Sequence, residues 1–202
     1  MFVQVIQGRV SNPAAAKGAL DEWLRDVSPG AEGWLGSTGG VTEDGRLIAL
    51  ARFESAEAAR RNSDRPEQDA WWAGFSKLFA GEATFADSED VIVDLVGDPN
   101  QAGFVQVMRG EGTNTERARE LMTQGSDKWA EFRPDILGSV TTLHPDGAYT
   151  MCMYFTNEAE ARSGEKKEPP AELKAQMDEM NSLQKGPPEF FDLKQPWLMS
   201  PR

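Results

Sequence analysis

Cysteine, histidine and tyrosine are nearly absent from this chain of 202 residues, which has one Cys, one His and two Tyr. The lone Cys152 has no internal partner for a disulfide. The opening Met1-Phe2-Val3-Gln4-Val5 lacks the basic start and apolar stretch of a secretory leader, so a cytoplasmic location is expected. A single histidine, His144, with no cysteine companion and no His-x-x-x-His spacing cannot build an ordinary zinc or non-haem iron site, and no metal is expected. Long hydrophobic runs are missing too. None approaches the ~18 apolar residues of a membrane helix, so no membrane partner is expected. Positive charge is scarce: 21 Lys and Arg against 33 Asp and Glu give a net charge of −12. With no basic stripe to reverse that locally, nucleic acid is not an expected partner. There is no P-loop, no Gly-x-Gly-x-x-Gly after a strand and no Gly-x-Ser-x-Gly. The glycine-rich Gly36-Ser37-Thr38-Gly39-Gly40 falls in a strand and hairpin rather than before a helix, where a phosphate cradle would need it. What remains is a hydrophobic content of 39% with 9% aromatic, enough for a packed core.

What the chain does have is a repeat. Phe2-Val3-Gln4-Val5-Ile6-Gln7-Gly8 recurs as Phe104-Val105-Gln106-Val107-Met108-Arg109-Gly110, a shift of 102 residues. The same shift superimposes Asn12 on Asn114, Leu35-Gly36-Ser37 on Leu137-Gly138-Ser139, Asp44-Gly45 on Asp146-Gly147, and Phe53 on Phe155. Matches at one constant offset, falling at turns and strand starts, mark a duplication.

Each half therefore reads once for both. Phe2 to Gln7 mixes β-branched, aromatic and polar residues in rough alternation, as a strand does. Asn12-Pro13 sets a capping side chain before proline at the first helical position, and Ala16, Leu20, Trp23, Leu24 and Val27 follow at helical spacing. Leu35 to Val41, Asp44-Gly45 and Leu47 to Phe53 spell strand, turn and strand, and Asp146-Gly147 repeats the pattern between Leu137 and Phe155. Ser55 and Asn157 cap a second helical region, which resumes after Pro66 in one half and after Pro169-Pro170 in the other. Strands at Val91 to Val96 and, with a proline in it, Phe190 to Leu198 are expected to close the two halves. The expected organisation is a first repeat over 1–97, a linker over 98–103 and a second repeat over 104–202. In fold class this is α+β, two tandem ferredoxin-like βαββαβ units. Such a unit carries its helices on one sheet face and leaves the other bare, so the two are expected to cover each other as an intramolecular, pseudo-dimeric α+β barrel. The chain would then run as a monomer, with further self-association open.

Gly33-Trp34-Leu35-Gly36, the hairpin, and Phe53-Glu54-Ser55-Ala56-Glu57-Ala58 resemble the antibiotic biosynthesis monooxygenase-like members of the dimeric α+β barrels. Phe155-Thr156-Asn157-Glu158-Ala159-Glu160-Ala161 stands in the same place in the second half. The resemblance implies a pocket in each unit between sheet and helices. It implies either a monooxygenase acting on a small apolar or aromatic molecule without cofactor, or a non-catalytic small-ligand-binding or stress-related protein. Its haem-degrading branch uses an asparagine on the first strand, a tryptophan ending the third strand and a histidine on the later helix. Here Gln7 and Arg109, Phe53 and Phe155, and Trp71 or Trp72 stand at those places, so haem degradation is not expected, and no cofactor is implied. Haem binding without degradation stays open.

Several residues are candidates for a site. Trp71 and Trp72, with Phe75 and Phe79, form the largest aromatic concentration. They are either core or, since neighbours on a helix lie about 100° apart, one of the two tryptophans lines a cavity. Phe53 ends the third strand beside them. Gln7 and Arg109 are polar positions on apolar strands, and either face solvent or project into the pockets, Arg109 as a cationic donor to an enolate oxygen. Tyr154, paired with Arg52 by the repeat, offers a phenol to a carbonyl. His144, before the Pro145-Asp146-Gly147 turn, is either an exposed loop residue or a proton carrier at a pocket mouth.

Overall fold

The computed structural model describes residues 1–124 and 126–201; Gly125 and Arg202, which fall inside the expected second repeat, lie outside the described residues. The chain divides into two compact units, one of Met1–Asp90 with the C-terminal segment from Gln195, the other of Val91–Lys194. Each is an α+β unit built on a five-stranded antiparallel sheet.

In the first unit, β1 (Phe2–Arg9) lies between β3 (Arg46–Phe53) and β4 (Thr84–Ser88), and β2 (Trp34–Val41) lies between β3 and β10 (Trp197–Met199). Helix α1 (Pro13–Glu22) starts where Asn12 accepts the Ala15 N–H at 3.0 Å, and runs on through a π-helical turn, Trp23–Val27. Ser55 caps α2 (Ala56–Ser63) by accepting the Ala58 N–H at 3.1 Å, and α3 (Pro66–Phe75) opens on proline. Gly45 ends the β2–β3 turn at φ +83°, a conformation glycine adopts without penalty.

The second unit repeats this order. Strand β6 (Phe104–Glu111) lies between β8 (Ala148–Phe155) and β9 (Glu189–Leu193), and β7 (Ile136–Leu143) lies between β8 and β5 (Val91–Leu95). Its helices are α4 (Thr115–Thr123), α5 (Ser126–Phe132), α6 (Glu158–Gly164) and α7 (Ala171–Ser182). Asn114 and Asn157 cap α4 and α6 as Asn12 and Ser55 cap α1 and α2.

The compact units and the sequence repeats differ in their outermost strands. Val91–Leu95, expected to close the first half, pairs with β7, and Trp197–Met199 pairs with β2. The strand that lies beside β1 is Thr84–Ser88, a segment the sequence pattern did not mark. Each half thus lends one edge strand to the other's sheet, and five strands replace the four expected. The expected Phe190–Leu198 strand is two strands, because Pro196 cannot donate to a ladder. The expected linker holds one 3-10 turn at Pro99–Gln101.

A glycine in each sheet makes room for the borrowed strand. Gly36 and Gly138 sit at the β-bulges of β2 and β7 with φ of +124° and +141°. A Cβ on Gly36 would stand 2.7 Å from the Met199 carbonyl of β10, and one on Gly138 would press on the Asp94 carbonyl and stand 2.7 Å from Leu95 Cα of β5.

Strand alternation sorts the side chains. Phe2, Gln4 and Ile6 of β1, and Leu47, Ala49, Ala51 and Phe53 of β3, face the helices of the first unit. Val3, Val5, Ile48 and Leu50 take the opposite face, each at most 1% exposed. In the second unit Met108, Met151, Met153 and Phe155 face the helices, whereas Val105, Val107, Cys152 and Tyr154 take the other face, again at most 1% exposed. No helix among the described residues is long and apolar enough to cross a membrane.

Candidate functional site

Each unit holds a cavity between its sheet and its helices. The first, of about 250 Å³, has Ile6, Ala49 and Ala51 as its floor. Two alanines keep that floor low, leaving space for a flat ring. The walls are aromatic: Phe53 from β3, Trp23 from the π-helical turn, Trp71 and Trp72 from α3, and Phe85 from β4. Phe85 is 50% exposed and meets Trp72 at 5.3 Å between centroids, which puts it at the rim.

Packing and hydrogen bonds hold these rings. Trp71 donates its indole N–H to the Ala19 carbonyl at 2.9 Å and stacks on Phe75 at 4.7 Å and 16°. Trp23 stands edge-on to Trp34 at 4.9 Å. The wall is therefore largely preorganised.

The polar lining consists of Gln4, Ser37, Asn62, Ser63, Gln68 and Asp69. Its donors and acceptors are sorted by their partners. Gln68 Oε1 accepts the Trp23 indole N–H at 2.7 Å, Asn62 Oδ1 accepts from Arg65 at 2.9 Å, and Ser37 Oγ accepts the Trp34 indole N–H at 3.0 Å. Indole and guanidinium nitrogens donate only, so the amide orientations of Gln68 and Asn62 are fixed by chemistry. In all three side chains the acceptor is engaged, and among the described residues the donor, an amide NH2 or a hydroxyl, meets no protein group. Gln4 is the reverse: its Nε2 donates to Asp87 at 3.1 Å, which leaves its carbonyl. Ser63 donates its hydroxyl to the Ala59 carbonyl at 3.1 Å, so the cavity offers three donors against two acceptors, the Gln4 carbonyl and the Ser63 hydroxyl oxygen, with the Asp69 carboxylate also on the wall.

The second cavity, of about 390 Å³, is floored by Met108, Met151 and Met153 and roofed by Met122, Met177, Met180, Leu121 and Trp129. Trp129 donates to Gln176 Oε1 at 2.8 Å, matching Trp23 and Gln68 in the first unit. Here, however, Gln176 Nε2 donates to the Leu121 and Gln124 carbonyls, at 2.5 and 3.0 Å. Arg133 on the lining is held by Asp135 through two hydrogen bonds of 2.8 and 2.7 Å.

The residues singled out by sequence fall in four places. Phe53, Trp71 and Trp72 line the first cavity, both tryptophans rather than one, since the cavity spans rings 6.2 Å apart. Phe75 lies beneath, 4% exposed, packed with Val10, Ala16, Leu47, Phe79 and Trp197. Gln7, Arg109 and Tyr154 line neither of these cavities. They stand on the sheet face away from the helices, because they share strand parity with Val3, Val105 and Cys152. His144 lies at the end of the β7–β8 hairpin, where its carbonyl accepts the Gly147 N–H at 3.0 Å, and it lines neither cavity. Among the described residues no group of three or more His, Cys, Asp or Glu is placed to hold a metal ion.

Sequence reasoning missed Asn62 and Gln68. A signal was available: Asn62 falls at helical spacing from the buried Ala58 and Ala59, and Gln68 lies one turn before Trp71 and Trp72, so both interrupt apolar stripes.

No protein-family model matches the chain, and no curated protein matches it in sequence. Solved structures do match in fold. A candidate monooxygenase from Lactobacillus acidophilus NCFM superimposes with a TM-score of 0.71 at 12% identity, covering 98% of this chain and 95% of that one. A second candidate monooxygenase, from Fusobacterium nucleatum subsp. nucleatum ATCC 25586, gives 0.74 at 11% identity, covering 98% and 94%. An anthrone oxidase-like protein gives 0.67 at 11% identity, covering 100% and 91%. At these identities the likeness is one of fold: the chain shares with these proteins an α+β architecture of ferredoxin-like units.

Proposed function

We propose that the first cavity takes a planar aromatic molecule bearing carbonyl or phenolic oxygens and that the protein oxidises it with dioxygen, without metal or flavin. The observation that carries this reading is the sorted donor set, Ser37, Asn62 and Gln68, each with its acceptor engaged and its donor unused, beside aromatic walls and a two-alanine floor. Aromatic walls hold a flat ring, and fixed donors favour an oxygen on which negative charge accumulates. Oxygenation without a cofactor needs that charge: loss of a C–H proton gives an enolate or phenolate, which passes electrons to dioxygen. For a ring methylene, one methylene and one dioxygen give one ketone carbonyl and one water. Both C–H bonds break, the carbon gives up four electrons, and dioxygen takes them, placing one oxygen atom in the product and the other, with the two hydrogens, in water. Asp69, the carboxylate on the cavity wall, is the proton acceptor in this scheme. The fold shared with candidate monooxygenases and an anthrone oxidase-like protein supports the class of reaction.

A second reading is binding without turnover. It is favoured by one feature, that no Tyr, Arg or His lines this cavity among the described residues. Oxygen uptake with a panel of anthrones and hydroquinones, run beside quenching of tryptophan fluorescence, separates the two. Uptake that saturates with substrate and is lost in Asp69→Asn, while quenching persists, supports oxidation. Saturable quenching with no uptake supports binding alone, and neither signal overturns both.

A further inference from the structure

The duplication has left two cavities of different chemistry. At the repeat shift, Ile6, Ala49 and Ala51 of the first floor become Met108, Met151 and Met153 of the second. Met122, Met177 and Met180 come from the helices, so six of the eight methionines in the chain line this one cavity. A methionine side chain is unbranched, polarisable and freely rotating, and a wall of them adapts to ligands of changing shape rather than selecting a rigid plane. The opening is apolar as well, with Val96 and Met177 51% and 40% exposed.

The polar groups differ in the same sense. Gln68 keeps its NH2 for a ligand, whereas both hydrogens of its counterpart Gln176 go to backbone carbonyls. The Arg133 charge is matched by Asp135, the two side chains being 11% and 6% exposed. That leaves the Ser139 hydroxyl, which has no hydrogen-bond partner among the described residues, while the negative charge of Asp94 on the lining disfavours an anion. At about 390 Å³ the space falls in the ~300–1,000 Å³ range of small-molecule pockets. From this the geometry points to a second binding site, in the unit of Val91–Lys194, for a neutral, flexible aliphatic chain carrying at most one oxygen function. The inference does not depend on the reading of the first cavity.

Methyl-13C methionine labelling of the full-length protein tests it, since one label reports on both cavities. Six methyl signals belong to the second cavity, Met199 lines the first, and Met1, 43% exposed, is a control. Octan-1-ol should shift the six saturably and leave Met199 and Met1 in place, and octanoate should bind at least about tenfold more weakly. Met151→Ala with Met153→Ala restores the two alanines of the first half's floor and should weaken octan-1-ol at least about tenfold, with the Met199 signal unmoved. The inference is overturned if octan-1-ol moves Met199 in preference to the six, if no methyl responds, if octanoate binds as well, or if the double variant keeps full affinity. Failure of the aromatic reading would register separately, as an anthrone that leaves Met199 and the tryptophan fluorescence unchanged.

Discussion

Replacing Gly138 by alanine tests whether β5 belongs to the second sheet. The residue sits at φ +141° in the β7 bulge, where an added Cβ would press on the Asp94 carbonyl and come within 2.7 Å of Leu95 Cα and 2.8 Å of Leu95 Cδ2. The left-handed backbone costs an L-residue roughly 1–2 kcal/mol. Relieving the contact moves the end of β5 outward and loosens the bonds next to it, including those from the Val96 and Gly97 N–H groups to the Leu137 carbonyl at 3.1 and 2.9 Å. Each is worth about 0.5–1.5 kcal/mol net. The sum is about 2–5 kcal/mol, a large share of the ~5–15 kcal/mol that holds a domain folded, and it lowers Tm by roughly 4–20 °C in a protein of this size. Differential scanning calorimetry reads the shift, and native-state hydrogen exchange reads its place. Protection should fall at Val91–Leu95 and its partners on β7, while the β2–β3 hairpin keeps its rate. Gly18→Ala is the control of opposite sign. Nothing lies within 4 Å of the added Cβ and the position is inside α1, so the gain should be about 0.5–1 kcal/mol. A neutral Gly138→Ala, or protection lost evenly through the chain, would refute the reasoning.

Other expectations follow from the same contacts. Gln68→Glu keeps an acceptor for the Trp23 indole but removes the NH2, so the first cavity should lose about tenfold in affinity for a carbonyl-bearing aromatic, measured by fluorescence titration, with Tm little changed. Phe75→Ala removes a ring that is 4% exposed and stacked on Trp71, and urea unfolding should show a loss of about 3–5 kcal/mol. Burial pushes the Tyr149 phenol up, against an opposing hydrogen bond to Gln184, so its absorbance should titrate above the ordinary value near ~10. Because the folded value is the raised one, its contribution to stability is present below pH ~10 and fades as the pH climbs through the folded value. The hydrogen bond from Arg117 holds Glu179 below the ordinary carboxylate range, against the effect of burial. Its contribution is present above pH ~4.3 and lost as the pH falls through the lower folded value, and exchange in α7 should quicken there while that in α3 does not.

Local chemistry made much of the fold legible. The Asp-Gly turns, the Asn12, Ser55, Asn114 and Asn157 caps and the proline-opened α3 each follow from one or two residues whose backbone preferences act without tertiary context. Strand partnership is not local. Val91–Leu95 reads as a strand whether it lies beside β1 or β7, and Thr84–Ser88 gives a weak pattern because an edge strand with its Phe85 exposed need not alternate cleanly. The trace of strand exchange in the sequence is confined to two glycines, Gly36 and Gly138, and their meaning emerges only when the incoming backbone is seen beside them.

The candidate site divides in the same way. Aromatic concentration pointed to Trp71 and Trp72, since large apolar rings on one helix have few places to go. The difference between Gln7 and Arg109 drew attention to positions that parity sends to the other sheet face, whereas Gln4 and Gln106, alike in both halves, carry the pairings with Asp87 and Asp192. Change between repeats and placement in a cavity are therefore separate properties, and only together do they identify what has diverged. On the cavity floors the positions that differ are Ile6, Ala49 and Ala51 against Met108, Met151 and Met153. Exchanging those three residues between the halves should exchange the ligand preferences of the two cavities, planar for flexible. A swap that left the preferences with the original units would transfer selectivity from the floor to the helices.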